Sequence, residues 1–451
     1  MSIHFDDAWF AARDLAEELA GRGDDIVLLR DLRGRVSIVV GRACEINAGN
    51  AGGIADRLRE VCGPFCAAEP LLLAEDLFAP HLVLRAPELT VVRSADPDAG
   101  AGSLSVLEAG ITGRDWLHPA DPARNRVALY GFKGGVGRTT AAVLLAHHLA
   151  SNGLCVLVAD LDLESPGLSE ILLEPDDLPD HGVVDHLIEQ GVGNARDLMC
   201  VAPATRFTVR GNGEIWVAPA RGRSRDGYTY LPKLNRIYRD DPLQDPSSER
   251  GRGSTFAGRL AATIDRCEEL VERNSRPPDV VLLDSRAGVH DIAAVAITRL
   301  ADLSLLFAAD TRHTWNGYRD LFSQWRQTPE TARAVRERLR MVASMVPADR
   351  AGEYLEGFRD RAHLLFAQTL YDTLPEGSGV EDSHPSVEDT DAPHSPLPIQ
   401  FTRDLTGTDV TEDTRWLEQT FVRTAFGDFL DRASCLIVED LGPEVARTVR
   451  R

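Results

Sequence analysis

A glycine-rich stretch with two basic residues is the part of this sequence best suited to chemistry: Tyr130-Gly-Phe-Lys-Gly-Gly-Val-Gly-Arg-Thr-Thr140. It follows an apolar run and precedes an amphipathic stretch, Ala141 to Ala150, which predicts a strand, a loop and a helix. Glycines let backbone N–H groups curl round a phosphate, and the helix N-terminus adds partial positive charge. The stretch therefore predicts a phosphate-binding loop, whose Thr139 hydroxyl is placed to bind Mg²⁺. A glycine-rich turn without a ligand is the alternative, and the lysine at position 133 disfavours it.

Two further segments place carboxylates where apolar runs end. Val158-Ala-Asp-Leu-Asp-Leu-Glu-Ser-Pro-Gly167 contains Asp160 and Asp162, and Asp279-Val-Val-Leu-Leu-Asp-Ser-Arg-Ala-Gly288 contains Asp284. The carboxyl ends of parallel strands form the crevice in which α/β sheets bind ligands. We therefore expect the three carboxylates to lie near the phosphate loop.

The glycine-rich stretch resembles the deviant Walker A loop of the MinD/ParA ATPases, which are P-loop NTPases. In that loop a signature lysine precedes two glycines, and the usual P-loop lysine follows five positions later. Lys133 matches the signature lysine, whereas Arg138 stands in place of the second one. The string KGGVGR is similar to that of the KGGVGR-variant ATPases, which are associated with bacterial conflict (defence) systems. The resemblance covers about residues 126–435 and implies ATP and Mg²⁺ as ligands.

The resemblance also implies roles for individual residues. Lys133 would reach across a homodimer to the partner's phosphate, Arg138 would contact the phosphates, and Asp162 would orient the attacking water. Asp160 would support the Mg²⁺ shell, and Asp284 matches the Walker B carboxylate, which binds Mg²⁺ through water. The expected site is therefore catalytic at Lys133, Arg138 and Asp162; metal-binding at Thr139, Asp160 and Asp284; and nucleotide-binding at Gly134, Gly135, Val136, Gly137, Arg138, Thr139, Thr140 and Gly288.

Arginine at position 138 departs from the family pattern. The chain has only two lysines, Lys133 and Lys233, and 47 arginines, so a compositional drift is one explanation. A guanidinium is planar and larger than an ammonium, although it keeps the charge and binds phosphate well. We expect nucleotide binding to persist and hydrolysis to be slow. Lys233 has no role that the sequence explains.

Other positions leave alternatives open. Ser344 stands where many family members carry an asparagine that reads the base, so ATP rather than GTP rests on the resemblance alone. A stretch of 122 residues separates Asp162 from Asp284 and includes Arg221-Gly-Arg-Ser-Arg225, which is either a grip for a phosphate-bearing partner or an exposed loop. Arg286 is either a charge-stabilising group or a salt-bridged side chain.

Nearly continuous apolar runs that alternate with helical stretches must position these residues. They predict an α/β domain with a mainly parallel sheet covered by helices on both faces. We place this P-loop domain at 126–440, with a mobile acidic loop at 374–396 and a last helix at about 411–436, followed by a tail at 441–451. The expected strands are Val127–Tyr130, Cys155–Ala159, Ile215–Ala218, Val280–Leu283, Leu303–Ala308, Met341–Val346 and Leu397–Phe401.

Residues 1–118 predict a smaller α+β domain, joined by a turn-rich linker at 119–125. Apolar spacing indicates helices at about 6–21 and 55–62, a hairpin of 26–29 with 36–40, and extended runs at 81–85 and 89–94. No chemical motif lies in this part of the sequence. A recognition or oligomerisation role, with an unknown protein partner, is the expectation.

Composition narrows the function classes. The formal net charge is −21 over 451 residues, which makes a nucleic acid an improbable main ligand. No apolar run reaches the ~18 residues of a membrane span, and the N-terminus lacks a signal-peptide pattern, so we expect a cytoplasmic protein. Seven scattered cysteines favour reduced thiols over a disulfide framework.

Three functions follow from these observations. The leading hypothesis is a Mg²⁺-dependent ATPase switch that forms a nucleotide-sandwich dimer in a conflict, defence or signalling system. The alternatives are a ParA/MinD-like positioning ATPase and a nucleotide-binding scaffold that hydrolyses little.

Overall fold

The chain divides into two compact units, residues 1–114 and 115–451. A computed structural model describes residues 3–31, 33–47, 49–86, 89–96, 101–108, 116, 119–120, 122, 125–209, 211–238, 255–326, 329–372, 385–405, 410, 416–417 and 419–440. The predicted tail at 441–451 and residues 374–384 of the predicted acidic loop lie outside these residues.

The first unit contains a five-stranded mixed sheet in the order β3-β2-β1-β5-β4. Its strands are β1 (Asp25–Arg30), β2 (Val36–Arg42), β3 (Cys66–Leu73), β4 (Thr90–Arg93) and β5 (Leu104–Glu108), and its helices are α1 (Phe5–Gly21), α2 (Ala51–Cys62) and α3 (His81–Leu84). Helix α1 buries Ala12, Leu15 and Leu19 at the spacing that predicted it, and β1 pairs antiparallel with β2 as the hairpin predicted.

Three features of this unit differ from the sequence-based expectations. The run at 81–85 is not extended: Pro80 has a helical φ of −61°, and its carbonyl accepts the N–H groups of Val83 and Leu84, which closes one helical turn. The strands β3 and β5 were not predicted. Pro70 interrupts the pattern of β3, and the structure accommodates it because β3 is an edge strand with an irregular register.

The second unit is built on an eight-stranded sheet in the order β13-β12-β11-β6-β10-β7-β9-β8. All neighbouring pairs are parallel except β8 with β9. The predicted mainly parallel sheet is thus confirmed, and only the two-residue β8 is new. The strands are β6 (Arg126–Gly131), β7 (Cys155–Leu161), β8 (Ala202–Pro203), β9 (Glu214–Ala218), β10 (Val280–Ser285), β11 (Leu303–Ala308), β12 (Leu339–Val346) and β13 (Leu397–Gln400).

Helices cover both faces of this sheet, as the apolar strands predicted. Along β6, Val127 and Leu129 pack on one face, whereas Ala128 and Tyr130 pack on the other. The helices are α4 (Arg138–Ser151), α5 (Leu168–Leu172), α6 (Val183–Gln190), α7 (Leu231–Leu234), α8 (Phe256–Asn274), α9 (Asp291–Val295), α10 (Arg312–Arg326), α11 (Pro329–Arg336), α12 (Ala351–Thr369) and α13 (Thr420–Asp440). Residues Ala296–Leu300 continue α9 as a π-helical turn.

Two expectations for the C-terminal part need correction. Within the predicted mobile loop, Ala392, His394 and Ser395 are buried. A hydrogen bond of 2.6 Å joins His394 Nδ1 to the Tyr371 hydroxyl. That part of the segment belongs to the core. The last helix begins at Thr420 rather than near 411, and its Phe426, Phe429 and Ala433 pack on the sheet as predicted.

Two further observations concern the whole chain. None of the seven cysteines, all of which lie among the described residues, forms a disulfide. Among the described residues, the helices include none with both the length and the apolar composition needed to cross a bilayer.

Candidate functional site

The glycine-rich loop joins the central strand β6 to α4, so it sits at the carboxyl edge of the sheet. Gly135 and Gly137 have φ values of +76° and +77°, a conformation that side chains resist, and Gly137 caps α4. A Cβ added to either glycine, or to Gly134, would meet no atom within 4 Å. The backbone conformation therefore requires glycine at positions 135 and 137, and all three glycines leave open space around the loop. Val136 packs inward, whereas Lys133 is exposed.

Arg138 forms an ion pair with each of two predicted site carboxylates. Its Nε lies 2.7 Å from Asp284 Oδ1, and its Nη2 lies 3.4 Å from Asp162 Oδ2. The Arg138 side chain is only 8% exposed and that of Asp284 only 1%. The guanidinium thus bridges β10 and the end of β7 through two separate nitrogens. Thr139 and Thr140 follow in the first turn of α4 and are partly buried.

Asp160 lies beside Asp284 because the two residues pair in register on the parallel strands β7 and β10. One carboxylate oxygen of Asp160 accepts hydrogen bonds from the Ser169 N–H (3.2 Å) and hydroxyl (3.0 Å). Burial and the nearby Asp284 carboxylate raise the pKa of Asp160 to about 7. Burial also raises the pKa of Asp162, and it outweighs the opposing effect of Arg138.

These carboxylates fit a Mg²⁺ ion that takes few protein ligands. Asp160 Oδ1 and Asp162 Oδ1 are buried and lack a hydrogen-bond partner among the described residues, so both keep an acceptor for a cation or its water. The same part of the chain contains no ready-made set of three or more His, Cys, Asp or Glu metal ligands. Phosphates and water would have to complete the shell, which is the usual mode for Mg²⁺ in nucleotide sites.

Gly288 closes the site from the side of β10. It has a φ of +85°, its N–H donates to the Gly131 carbonyl at 3.2 Å, and its own carbonyl accepts the Tyr130 hydroxyl at 3.2 Å. The backbone N–H of Gly288, which the resemblance places among the nucleotide-binding residues, is therefore bonded to the strand before the phosphate loop in this structure. Ser344, at the base-reading position, is fully buried in β12, and its hydroxyl has no partner among the described residues.

A network around Glu164 was not predicted from the sequence. Its carboxylate accepts the Tyr238 hydroxyl at 2.5 Å, pairs with Arg286 Nη1 at 2.9 Å, and has His290 Nε2 at 3.5 Å. Arg286 is thus a salt-bridged side chain here, the less active of its two expected roles. The tyrosine and the glutamate are 74 residues apart, so no local pattern could have paired them.

Lys233 now has a structural explanation. Its Nζ lies 2.5 Å from Oδ1 of Asp185, which is 2% exposed, and 4.1 Å from the centre of the Tyr228 ring. The other Asp185 oxygen accepts the Tyr228 hydroxyl (3.1 Å) and the Gly182 N–H (2.7 Å). This buried carboxylate is therefore held by Lys233 and Tyr228 of the insertion between β9 and α8, together with the Gly182 N–H that precedes α6.

Comparison with known proteins agrees with this geometry. The model of the CobQ/CobB/MinD/ParA nucleotide binding domain (CbiA) matches residues 127–383, more than half of the chain. The chain belongs to this family. No curated protein matches it significantly by sequence.

Three solved structures resemble this chain, and each is a similarity only. The structure of pNOB8 ParA is 15% identical and covers 73% of this chain and 98% of its own, with a TM-score of 0.42. Cobyrinic acid a,c-diamide synthase from Mycobacterium smegmatis, with bound ATP analog and magnesium, is 17% identical over 56% of this chain and 86% of its own (TM-score 0.34). The ATP complex of a Cyanothece McdA variant is 15% identical over 68% and 98% (TM-score 0.33). The family assignment rests on the sequence match alone.

Proposed function

We propose that this member of the family is a Mg²⁺-dependent ATPase that works as a nucleotide switch. The observation that carries the proposal is the convergence of Arg138, Asp162 and Asp284 on an open, glycine-lined loop at the helix N-terminus. Phosphates are the ligands that such a loop binds, and carboxylates beside it suit Mg²⁺ and water.

In this mechanism Arg138 changes partners. Without a nucleotide its guanidinium neutralises Asp284 and Asp162. After ATP has bound in the loop, the guanidinium turns to the phosphate oxygens and releases both carboxylates. The free Asp162 then orients water for attack on the γ-phosphorus. The backbone N–H groups of 134–140 stabilise the negative charge on the transferred phosphoryl group. Bound Mg²⁺, next to Thr139, Asp160 and Asp284, would neutralise phosphate charge and align the leaving group.

Hydrolysis should be slow because Arg138 first has to leave the buried Asp284 and the partly buried Asp162. Breaking one charge-assisted hydrogen bond costs about 1.5–3 kcal/mol. The same ion pair supports the second candidate, a nucleotide-binding scaffold with little turnover, in which Arg138 never releases Asp284. Tight ATP binding without phosphate release above background would identify that scaffold.

A homodimer that sandwiches two nucleotides is part of the proposal. Lys133 is exposed and has no ion-pair partner among the described residues, so its ammonium is available to a second subunit. The family resemblance supplies the geometry of that contact. Because Lys133 is one of two lysines in a chain of 47 arginines, the position specifically requires an ammonium in this proposal.

The test combines turnover with mass. Purified protein is assayed for ATP and GTP hydrolysis with and without Mg²⁺, and its mass is measured by light scattering with and without nucleotide. We expect Mg²⁺-dependent ATP turnover and a doubling of mass with nucleotide. Lys133→Ala should bind ATP but remain monomeric, and Lys133→Arg serves as the charge-conserving control. A mass that nucleotide leaves unchanged, with Lys133→Ala active like wild type, would refute the sandwich dimer.

For the biological setting we propose a conflict, defence or signalling system in the cytoplasm, which the KGGVGR string favours. Residues 1–118 would act there as the sensor or adaptor for a protein partner. A positioning role of the ParA/MinD kind is the alternative. The net charge of −21 disfavours nucleic acid as the surface along which a positioning ATPase would move. Duplex DNA binding at physiological salt, measured with and without ATP, distinguishes the two: ATP-dependent binding would favour the positioning role.

A further inference from the structure

The loop that carries Asp162 is held by two tyrosines from the insertion between β9 and α8. The Tyr230 hydroxyl donates to the Leu163 carbonyl at 2.5 Å, and the Tyr238 hydroxyl donates to Glu164 Oε1 at 2.5 Å. These two acceptors are the next two residues after Asp162. Two separate hydrogen bonds from one segment thus fix the chain immediately after the residue assigned to orient water.

Glu164 also connects this loop to the segment after β10. Its carboxylate pairs with Arg286 at 2.9 Å, two residues beyond Asp284, and His290 lies at 3.5 Å. The side chain of Glu164 is 21% exposed, so the ion pair is shielded from solvent more than a surface pair. A displacement of either carboxylate-bearing loop therefore has to move Glu164 or break its contacts.

A series of contacts joins the tyrosine-bearing part of the insertion to its arginine-rich part. Its residues 222–233 are held by the buried Asp185, which binds Lys233 and Tyr228, and the Tyr228 hydroxyl in turn accepts the Gly222 N–H at 3.2 Å. Arg223 and Arg225, which follow Gly222, are exposed on the surface. A movement at Glu164 would thus reach an exposed, arginine-rich part of the chain.

We propose that Glu164, Tyr230 and Tyr238 are positioning residues that couple the Asp162 loop to the insertion. Through them, residues 221–225 change conformation, and hence accessibility, when nucleotide binds. This inference rests on the proposed function, because it requires Asp162 to leave Arg138 when nucleotide binds. It assigns the insertion as the output surface of the switch.

Trypsin reports on this surface because it cleaves after arginine. Cleavage of the full chain after Arg223 and Arg225 is timed by mass spectrometry, with and without Mg²⁺ and a non-hydrolysable ATP analogue, while nucleotide binding is measured in the same samples. In wild type we expect the nucleotide to change this rate about threefold to tenfold, the effect of one hydrogen bond on an equilibrium. Tyr238→Phe and Tyr230→Phe should abolish the difference and lower kcat, with KM unchanged.

Matched controls separate coupling from folding. Tyr371→Phe also removes one buried hydroxyl, the partner of His394, but at a site away from both loops, and it should keep the nucleotide effect. Glu164→Gln keeps the size of the side chain and removes its charge, so it tests the coupling should a tyrosine variant fail to fold. Nucleotide binding without any change of cleavage in wild type overturns the inference alone. So does an unaltered nucleotide effect in folded Tyr238→Phe or Glu164→Gln. Failure of wild type to bind nucleotide refutes the proposed function and the inference with it.

Discussion

Replacing Arg138 by lysine should make hydrolysis faster. In the structure the guanidinium uses two different nitrogens for Asp284 and Asp162, at 2.7 and 3.4 Å. A lysine has a single nitrogen on a shorter reach, so it cannot hold the two carboxylates from separate nitrogens as the guanidinium does. We therefore expect one charge-assisted contact fewer to be broken between ATP binding and phosphate transfer. That contact is worth about 1.5–3 kcal/mol. Since about 1.4 kcal/mol corresponds to tenfold in rate, kcat should rise at least about tenfold.

The assay is phosphate release at saturating ATP, with Mg²⁺ titrated. We expect the Arg138→Lys variant to reach half-maximal rate at lower Mg²⁺, because the arginine no longer competes for Asp284, and to bind ATP with a similar Kd. Arg126→Lys is the matched control. Arg126 is likewise buried, at 4% exposure, and pairs with two carboxylates, Asp265 and Glu268, but it lies at the start of β6, the end of that strand away from the phosphate loop.

The reasoning fails if folded Arg138→Lys turns over ATP at or below the wild-type rate while Arg126→Lys behaves like wild type. That result would mean that the guanidinium itself stabilises the transition state, and that its ion pairs do not limit the rate.

Three further predictions concern the site and the insertion. Asp162→Asn should bind ATP normally but lose phosphate release by about 100-fold or more, the usual scale for a residue that orients or activates the nucleophile; wild-type turnover would remove Asp162 from the mechanism. Lys233→Ala leaves the Asp185 carboxylate buried without its cation, so it should lower the free energy of unfolding by about 3–5 kcal/mol in urea titrations, and Lys233→Arg by much less; equal midpoints for Lys233→Ala and wild type would contradict the assignment of this pair. Burial lowers the pKa of His186 to about 4, so the folded state binds the proton less well than the unfolded state. Stability from this group is complete above the unfolded pKa of ~6.5 and is lost as pH falls towards 4, by about 3 kcal/mol in all, and His186→Gln should flatten that part of the pH–stability curve; an unchanged slope would show that the folded and unfolded states bind this proton equally well.

The sequence predicted the central features of the fold because they depend on local patterns. The strands of the larger sheet are almost wholly apolar, and each ends in a recognisable turn or carboxylate, so β6, β7 and β10 and the loop after β6 could be located in advance. Parallel pairing then brings Asp160 and Asp284 into register without further information. The carboxyl-edge position of the site follows from the same rule.

The remaining features depend on contacts between distant residues. Lys233 lies 48 residues from Asp185, and Tyr238 lies 74 from Glu164, so neither pair leaves a periodic trace in the sequence. The local errors have a similar origin. The run at 81–85 has strand-like composition, yet Pro80 begins a helical turn there. The acidic segment near 392–395 has loop-like composition, yet His394 finds a buried partner in Tyr371.

Because the chain has so few lysines, reagents that modify amines can report on individual positions. Acylating reagents react with neutral amines, and the chain has only two lysine side chains that can supply one. One, Lys133, is exposed at the phosphate loop, whereas the other, Lys233, is paired with a buried carboxylate and 28% exposed. Labelling of lysine side chains in the folded protein is therefore concentrated at Lys133, and the extent of modification there measures how accessible the phosphate loop is to solutes.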